Sequence, residues 1–358
     1  MEELNMIMEK MNNVIEKIKE RDEGSFELAA AYTSRGAIYS QIELYDKSIS
    51  DFDEGIKIME RIIAGDRLLD ENILAKAYAG RGLTYYMIGE LNLALPDLNN
   101  SIEIYERIQR ISGQLIDDSM LFNLYIARSS VFNETFDYMD EAISDCRKSI
   151  KIAENLIRAG KVFDEDGLAM AHMGVGVSCD QKEEFYEANE HYTKCIKIWE
   201  QMIKEGKELS DKDNLATAYM NRGSNYFSMG DNQKSLADHN KSVSIREQWQ
   251  KEGVQQDIFH FAIAYRNRAM PYMVEGNTIA AINDNISAMY VLKGAFEERR
   301  ELQEFYYDTL KELLEWISDE NDNVLFDKIL QEFLYSMQSL PKTEEAEEAQ
   351  NSILRTIV

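Results

Sequence analysis

Five arginines recur along the chain, Arg35, Arg81, Arg128, Arg222 and Arg268, and sixteen or seventeen residues after each stands an aspartate: Asp51, Asp97, Asp145, Asp238 and Asp284. A guanidinium and a carboxylate at a constant offset support two kinds of chemistry. They can pair with each other as half-buried ion pairs that fix the register of two helices, or the arginines can form a row that receives a ligand's carboxylates or phosphates. The series fails at one place, where Val175 replaces the arginine and His191 the aspartate. Losing both partners together is what an internal pair predicts, so the structural ladder leads; binding sites rarely repeat identically in every unit of an array.

A second group of reactive side chains gathers near that break: His172, Cys179, His191 and Cys195, with Cys146 a little earlier. Imidazole and thiolate are zinc ligands, but these spacings match no zinc pattern and the residues replace packing positions of the repeat described next, so no metal is expected. The FDEDG stretch at 163–167 lacks the spaced oxygens and closing glutamate of a calcium loop and reads as an acidic helix N-cap. No phosphate-binding glycine loop, HExxH or nucleophile elbow is present, and 65 acidic residues make chance carboxylate pairs inevitable. The chain is therefore not read as an enzyme, and no cofactor is expected.

These residues must be positioned by a repeat. The segments LAAAYTSRGAIY, LAKAYAGRGLTYY, LFNLYIARSSVF, LAMAHMGVGVSC, LATAYMNRGSNYF and FAIAYRNRAMPYM begin at Leu28, Leu74, Leu121, Leu168, Leu215 and Phe261. Their aligned positions Tyr32, Tyr78, Tyr125, His172, Tyr219 and Tyr265 are 46 or 47 residues apart. In each unit a run at helical spacing, such as Leu28, Tyr32, Ile38 and Tyr39, is followed by a break and a second run such as Ile49, Phe52, Ile56 and Met59, so each unit is two helices.

Gly89, Gly230 and Gly276 fall in the break, where the chain must reverse. Gly65, Gly113, Gly160, Gly206 and Gly253 follow the second helix, and Asp70, Asp117, Asp164 and Asp211 precede the next unit, as C-cap and N-cap residues. The small residues Gly36, Gly82, Ser129, Gly176, Gly223 and Ala269 mark where the two helices must pass closely. Pro96 and Pro271 predict local kinks. Residues 1–27 read as a lone capping helix, 28–300 as six helix pairs, and 301–358 as a degenerate pair followed by a final capping helix.

The pattern resembles the tetratricopeptide repeat. In the second unit the family's positions are filled by Tyr78, Gly82, Tyr85, Gly89, Ala94 and Leu98, and in the fifth by Tyr219, Gly223, Tyr226, Gly230, Ser235 and His239. The resemblance spans about 28–300 and departs from the family in three ways. The unit is longer than the usual roughly 34 residues, which implies a second helix about three turns longer. The proline that usually follows that helix is missing, and arginine stands where the family has leucine before the small residue.

The resemblance implies an all-α fold, a right-handed α-solenoid of antiparallel helix pairs whose first helices line a concave groove. The groove residues it implies are Lys76, Leu83, Tyr86, Asn123, Ile126, Met170, Met173, Val177, Met220, Phe227, Ile263, Arg266, Met270 and Met273. Such a methionine-rich face suits an amphipathic helix or an extended apolar peptide of a partner protein, though apolar stripes equally fit burial between units or under the C-terminal helices. Family members that clamp a terminal carboxylate use Lys and Asn of successive first helices. Lys76, Asn123, Asn221, Asn267 and Arg266 are scattered candidates, and no two adjacent units supply the full set.

Composition narrows the partner. Lys and Arg total 39 against 65 Asp and Glu, a formal charge of −26 that repels nucleic acid and steers basic protein surfaces toward the chain. No apolar run reaches the roughly 20 residues that span a bilayer, and the acidic opening residues do not read as a signal peptide. Three cysteines without a CxxC pair fit a reducing interior, so the expectation is a cytoplasmic, monomeric scaffold that binds a protein or peptide. A sensor that changes superhelical pitch on binding a peptide is the alternative, and the caps at both ends speak against head-to-tail assembly.

Overall fold

The computed structural model describes residues 2–65, 71–112, 118–135, 138–161, 163–254, 256–292 and 300–319, with a few single positions from 324 to 331. Among the described residues there are fourteen α-helices and no strand. After α1 (Glu2–Arg21), helices alternate as first and second members of the repeat: α2 (Phe26–Gln41) and α3 (Tyr45–Ala64), α4 (Asn72–Met87) and α5 (Leu91–Ser112), α6 (Asp118–Thr135) and α7 (Met139–Arg158). The order continues with α8 (Glu165–Gln181) and α9 (Phe185–Lys204), α10 (Asp213–Ser228) and α11 (Asn232–Glu252), α12 (Ile258–Val274) and α13 (Thr278–Leu292), then α14 (Arg300–Asp319). The helices fall into two compact units, α1–α8 and α9–α14, so the division splits the fourth repeat.

Turn chemistry sets the helix ends. Gly89, Gly230 and Gly276 take φ values of 78°, 78° and 76°, the left-handed conformation that reverses the chain after the first helix. Glu43 and Glu183 adopt the same conformation in the first and fourth repeats without that freedom. Asp164 caps α8 by accepting from the Gly167 N–H at 3.1 Å. Asp211 instead accepts from the Asp213 N–H at 2.8 Å, one residue outside the cap, which is Lys212. Asp70, Gly113, Asp117 and the final helix expected over 343–358 lie outside the described residues. The helices α5 and α12 run through Pro96 and Pro271.

Close packing needs the small residues. A Cβ on Gly82 would lie 3.0 Å from the Asp97 Cβ, and one on Gly80 only 2.1 Å from the Phe52 ring, so α4 is pressed against both α5 and the preceding α3. The core of the first unit runs from Ile15 of α1 through Leu28, Phe52, Met59, Leu98 and Phe122. That of the second joins Val243, Phe261 and Ile282 to Leu310, Leu313 and Ile317 of α14.

Candidate functional site

All five arginine–aspartate pairs form, each as a two-pronged bond. Nε and Nη2 of Arg35, Arg81, Arg128, Arg222 and Arg268 donate to the two carboxylate oxygens of Asp51, Asp97, Asp145, Asp238 and Asp284 at 2.6–2.8 Å. A third donor of each guanidinium is also used. Nη1 donates to Asn12 (2.7 Å), Asp53 (2.5 Å), Asn99 (2.7 Å), Thr193 (2.9 Å) and Asn240 (3.2 Å), each on the second helix of the preceding repeat or, for Asn12, on α1. Every arginine thus ties three helices together.

The third partner has a sequence signal of its own: Asp53, Asn99, Thr193 and Asn240 each stand two residues after the ladder position of their repeat. In the third repeat that place is Arg147, a donor, and it precedes the repeat in which Val175 and His191 replace the pair. Three changes therefore coincide. A parallel set joins the recurring tyrosines to the preceding second helix: Tyr78 to Glu60, Tyr125 to Glu106 and Tyr219 to Glu200, all at 2.6 Å, and Tyr265 to Glu247 at 2.9 Å. Burial, reinforced by the glutamate, pushes all four phenols up, so they stay protonated donors. The ladder arginines stack over these or neighbouring rings at 5.5–5.8 Å.

The first-helix face divides by exposure. Lys76 and Asn123 are exposed, Met270 is just exposed, and Leu83, Tyr86, Ile126, Met170, Val177, Phe227, Ile263, Arg266 and Met273 are half-buried. Met173 and Met220 are corrected to core: both are buried, at 8% and 6% exposure, and Met220 packs in the same cluster as Val243 and Phe261. They occupy the position just after the repeated aromatic or histidine, where Ile126 and Arg266 of other repeats stay half-buried.

Arg266 is engaged, donating to Glu312 of α14 at 3.3 Å and lying 5.1 Å over the Phe305 ring. Asn267 donates to Ser224 at 3.3 Å and Asn221 to the Tyr192 hydroxyl at 3.5 Å. Of the scattered clamp candidates, Lys76 and Asn123 remain the exposed ones. What the second unit offers is a strip made by Phe227 of α10 and Ile263, Met270 and Met273 of α12, two first helices joined directly by the Asn267–Ser224 bond.

The three cysteines are buried and form no disulfide. Burial pushes the Cys146 and Cys195 thiols up to about 12, and a protonated thiol is a poor nucleophile and metal ligand. Cys146 donates to the Ser129 hydroxyl at 3.1 Å. His239, one residue after a ladder aspartate, is buried against Gly223, whose Cβ would come within 3.0 Å of the ring.

Comparison with known proteins places the fold. A tetratricopeptide-repeat family model matches residues 216–248, the stretch of α10 and most of α11. No curated protein matches in sequence. The apo quorum sensor NprR of B. thuringiensis is similar over 100% of this chain and 99% of its own, with 16% identity and a TM-score of 0.54. A signal-transduction ATPase of Pyrococcus horikoshii with a tetratricopeptide-repeat sensor, PH0952, gives 15% identity and a TM-score of 0.61 over 87% of this chain, which spans 42% of that protein's length. Aspartyl phosphate phosphatase F of Bacillus subtilis gives 14% identity and 0.51 over 92% and 76%. At such identities the likeness is one of fold.

Proposed function

We propose that this tetratricopeptide-repeat protein is a binding scaffold, not an enzyme, and that its second unit grips an apolar segment of a partner protein along α10 and α12. The observation that carries the reading is the strip of Phe227, Ile263, Met270 and Met273, which stays at least partly open on two adjacent first helices, with the exposed Val274 at its end. Methionine adapts its shape to an incoming side chain, and burial of a few such groups is enough for specific capture. The charge of −26 favours a partner with basic residues flanking the apolar ones.

A displayed random-peptide library selected on the full chain tests this. Selected peptides should bind Ile263→Ser/Met270→Ser/Met273→Ser at least about tenfold more weakly, a loss of about 1.4 kcal/mol, and should bind Val274→Ser normally. Peptides that ignore the triple substitution would remove the strip from consideration. A second reading, a peptide-responsive sensor, is supported by the full-length correspondence in fold with a quorum sensor. It requires in addition that the bound peptide alter the chain's solution scattering, and an unchanged radius of gyration would leave the plain scaffold.

A further inference from the structure

The second helices bury a common stripe, formed by the residues three before and one, four and eight after the ladder position. On α3 these are Ser48, Phe52, Gly55 and Met59, and on α5 Ala94, Leu98, Ser101 and Tyr105. On α11 they are Ser235, His239, Ser242 and Arg246, all 0–1% exposed, and in no other second helix are all four positions polar.

Each of the four holds an atom without a hydrogen-bond partner among the described residues: Ser235 Oγ, His239 Nδ1, Ser242 Oγ and Arg246 Nε. Residue type alone is not the reason, because the same serines in the same register are satisfied elsewhere. Ser48 donates to the Gly36 carbonyl at 2.9 Å, Ser101 to Ala75 at 2.8 Å and Ser149 to Cys146 at 2.8 Å. Ser235 matches Ser48, and Ser242 matches Ser101 and Ser149. A buried polar group without a partner loses its hydration for nothing in return, and α11 repeats that loss four times along one line.

The same helix is held by charge. Asp238 is pinned by Arg222, while Arg246 pairs with Asp213 of α10 and donates to Thr217 at 3.0 Å. We infer that α11 is an opening element of this fold: it undocks from α10 and α12 more readily than α3 or α5 leave their neighbours, takes water into its polar seam, and is guided back by its two arginine–aspartate pairs. Undocking α3 or α5 would bare Phe52 and Met59, or Leu98 and Tyr105, to water. Undocking α11 hydrates four polar groups and bares only Val243 beside them, so it opens at lower cost than α3 or α5. The inference does not depend on the peptide strip.

Native-state hydrogen exchange on the full chain at neutral pH tests it. Amides of α11 should exchange through openings at least about tenfold more frequent than those of α3 and α5. Ser235→Ala/His239→Leu/Ser242→Ala, which gives α11 an apolar seam over three of its four positions, should slow α11 by about tenfold or more and leave α3 and α5 unchanged. Ser242→Ala alone removes one hydroxyl and should slow α11 measurably even if the triple variant does not fold. Equal protection of α11, α3 and α5 in the natural chain, or no slowing in Ser242→Ala, would overturn the assignment.

Discussion

The first and second units share one polar lattice and differ in where they keep their apolar side chains. In α3 and α5 the buried stripe carries Phe52, Met59, Leu98 and Tyr105, whereas α11 carries Ser235, His239, Ser242 and Arg246. On the first helices, α2 and α6 present Ala37, Ser40, Asn123 and Ser130 and α4 presents Leu83 and Tyr86, while α12, beside α11, presents Ile263, Met270 and Met273. Around α11, the seam is polar and the open face of the adjoining α12 is apolar. Such an arrangement weakens the docking of a helix and supplies adhesive surface beside it, the compromise expected where a fold gives up stability for binding.

The comparison breaks most visibly if the shared lattice is not shared in energy. Arg81 holds two acids, the buried Asp97 and the exposed Asp53, so Arg81→Ala strands a buried carboxylate. We expect a loss of about 3 kcal/mol, read as the opening free energy of α4 and α5 in hydrogen exchange. Arg268→Ala, which strands Asp284, should cost α12 and α13 a similar amount. Burial already pushes the Asp284 carboxyl up against the pull of Arg268, so removing the arginine leaves that group readier to take a proton.

A mid-sized effect sharpens the contrast between seams. Burial, with a contribution from Arg268, pushes the His239 imidazole down to about 4. An unfolded histidine titrates near 6.5, so the fold favours the neutral ring. The stability this gives is complete above about 6.5 and is lost as pH falls from there through about 4. His260 runs the other way: its hydrogen bond to Asp213 at 3.2 Å raises it, so its contribution is complete below about 6.5 and fades as pH rises through the raised value. Between pH 6.5 and 4.5 the opening free energy read from exchange, with the intrinsic chemical rate divided out, should fall more in α11 than in α3 or α5, whose matching residues are Phe52 and Leu98. His239→Leu should abolish the difference; an equal change of opening free energy in all three helices would argue that the seam's polarity has no energetic consequence.

Much of this was legible before any coordinates. The 46–47-residue period gave the helix pairs, and the double loss at Val175 and His191 pointed to internal arginine–aspartate pairing. What periodicity could not resolve was direction around a helix. Met170 and Met173 lie on one apolar stripe at helical spacing, yet one is half-buried and the other closed off, because a stripe wider than the open face continues into the interface between helices. The polar seam of α11 was equally hidden: Ser235 and His239 fill family positions held by Ala94 and Leu98 in the second repeat, and only packing reveals that their polar atoms find no partner.

The smallest effect is the most discriminating control. Tyr78 donates to the exposed Glu60 and Tyr219 to the half-buried pair with Glu200, both at 2.6 Å. Phenylalanine at either place keeps the ring under its arginine, 5.8 Å away for Arg81 and 5.5 Å for Arg222, and deletes only the hydroxyl. Because water can replace the phenol at each carboxylate, we expect Tyr78→Phe to cost about 0.5 kcal/mol and Tyr219→Phe up to about 1 kcal/mol in the opening free energies of their own repeats. If Tyr219→Phe instead loosened α10 and α11 by several times the cost of Tyr78→Phe in α4 and α5, the lattice would be the weaker partner in the second unit. The difference between the units would then lie in their charge network and not in the seam of α11.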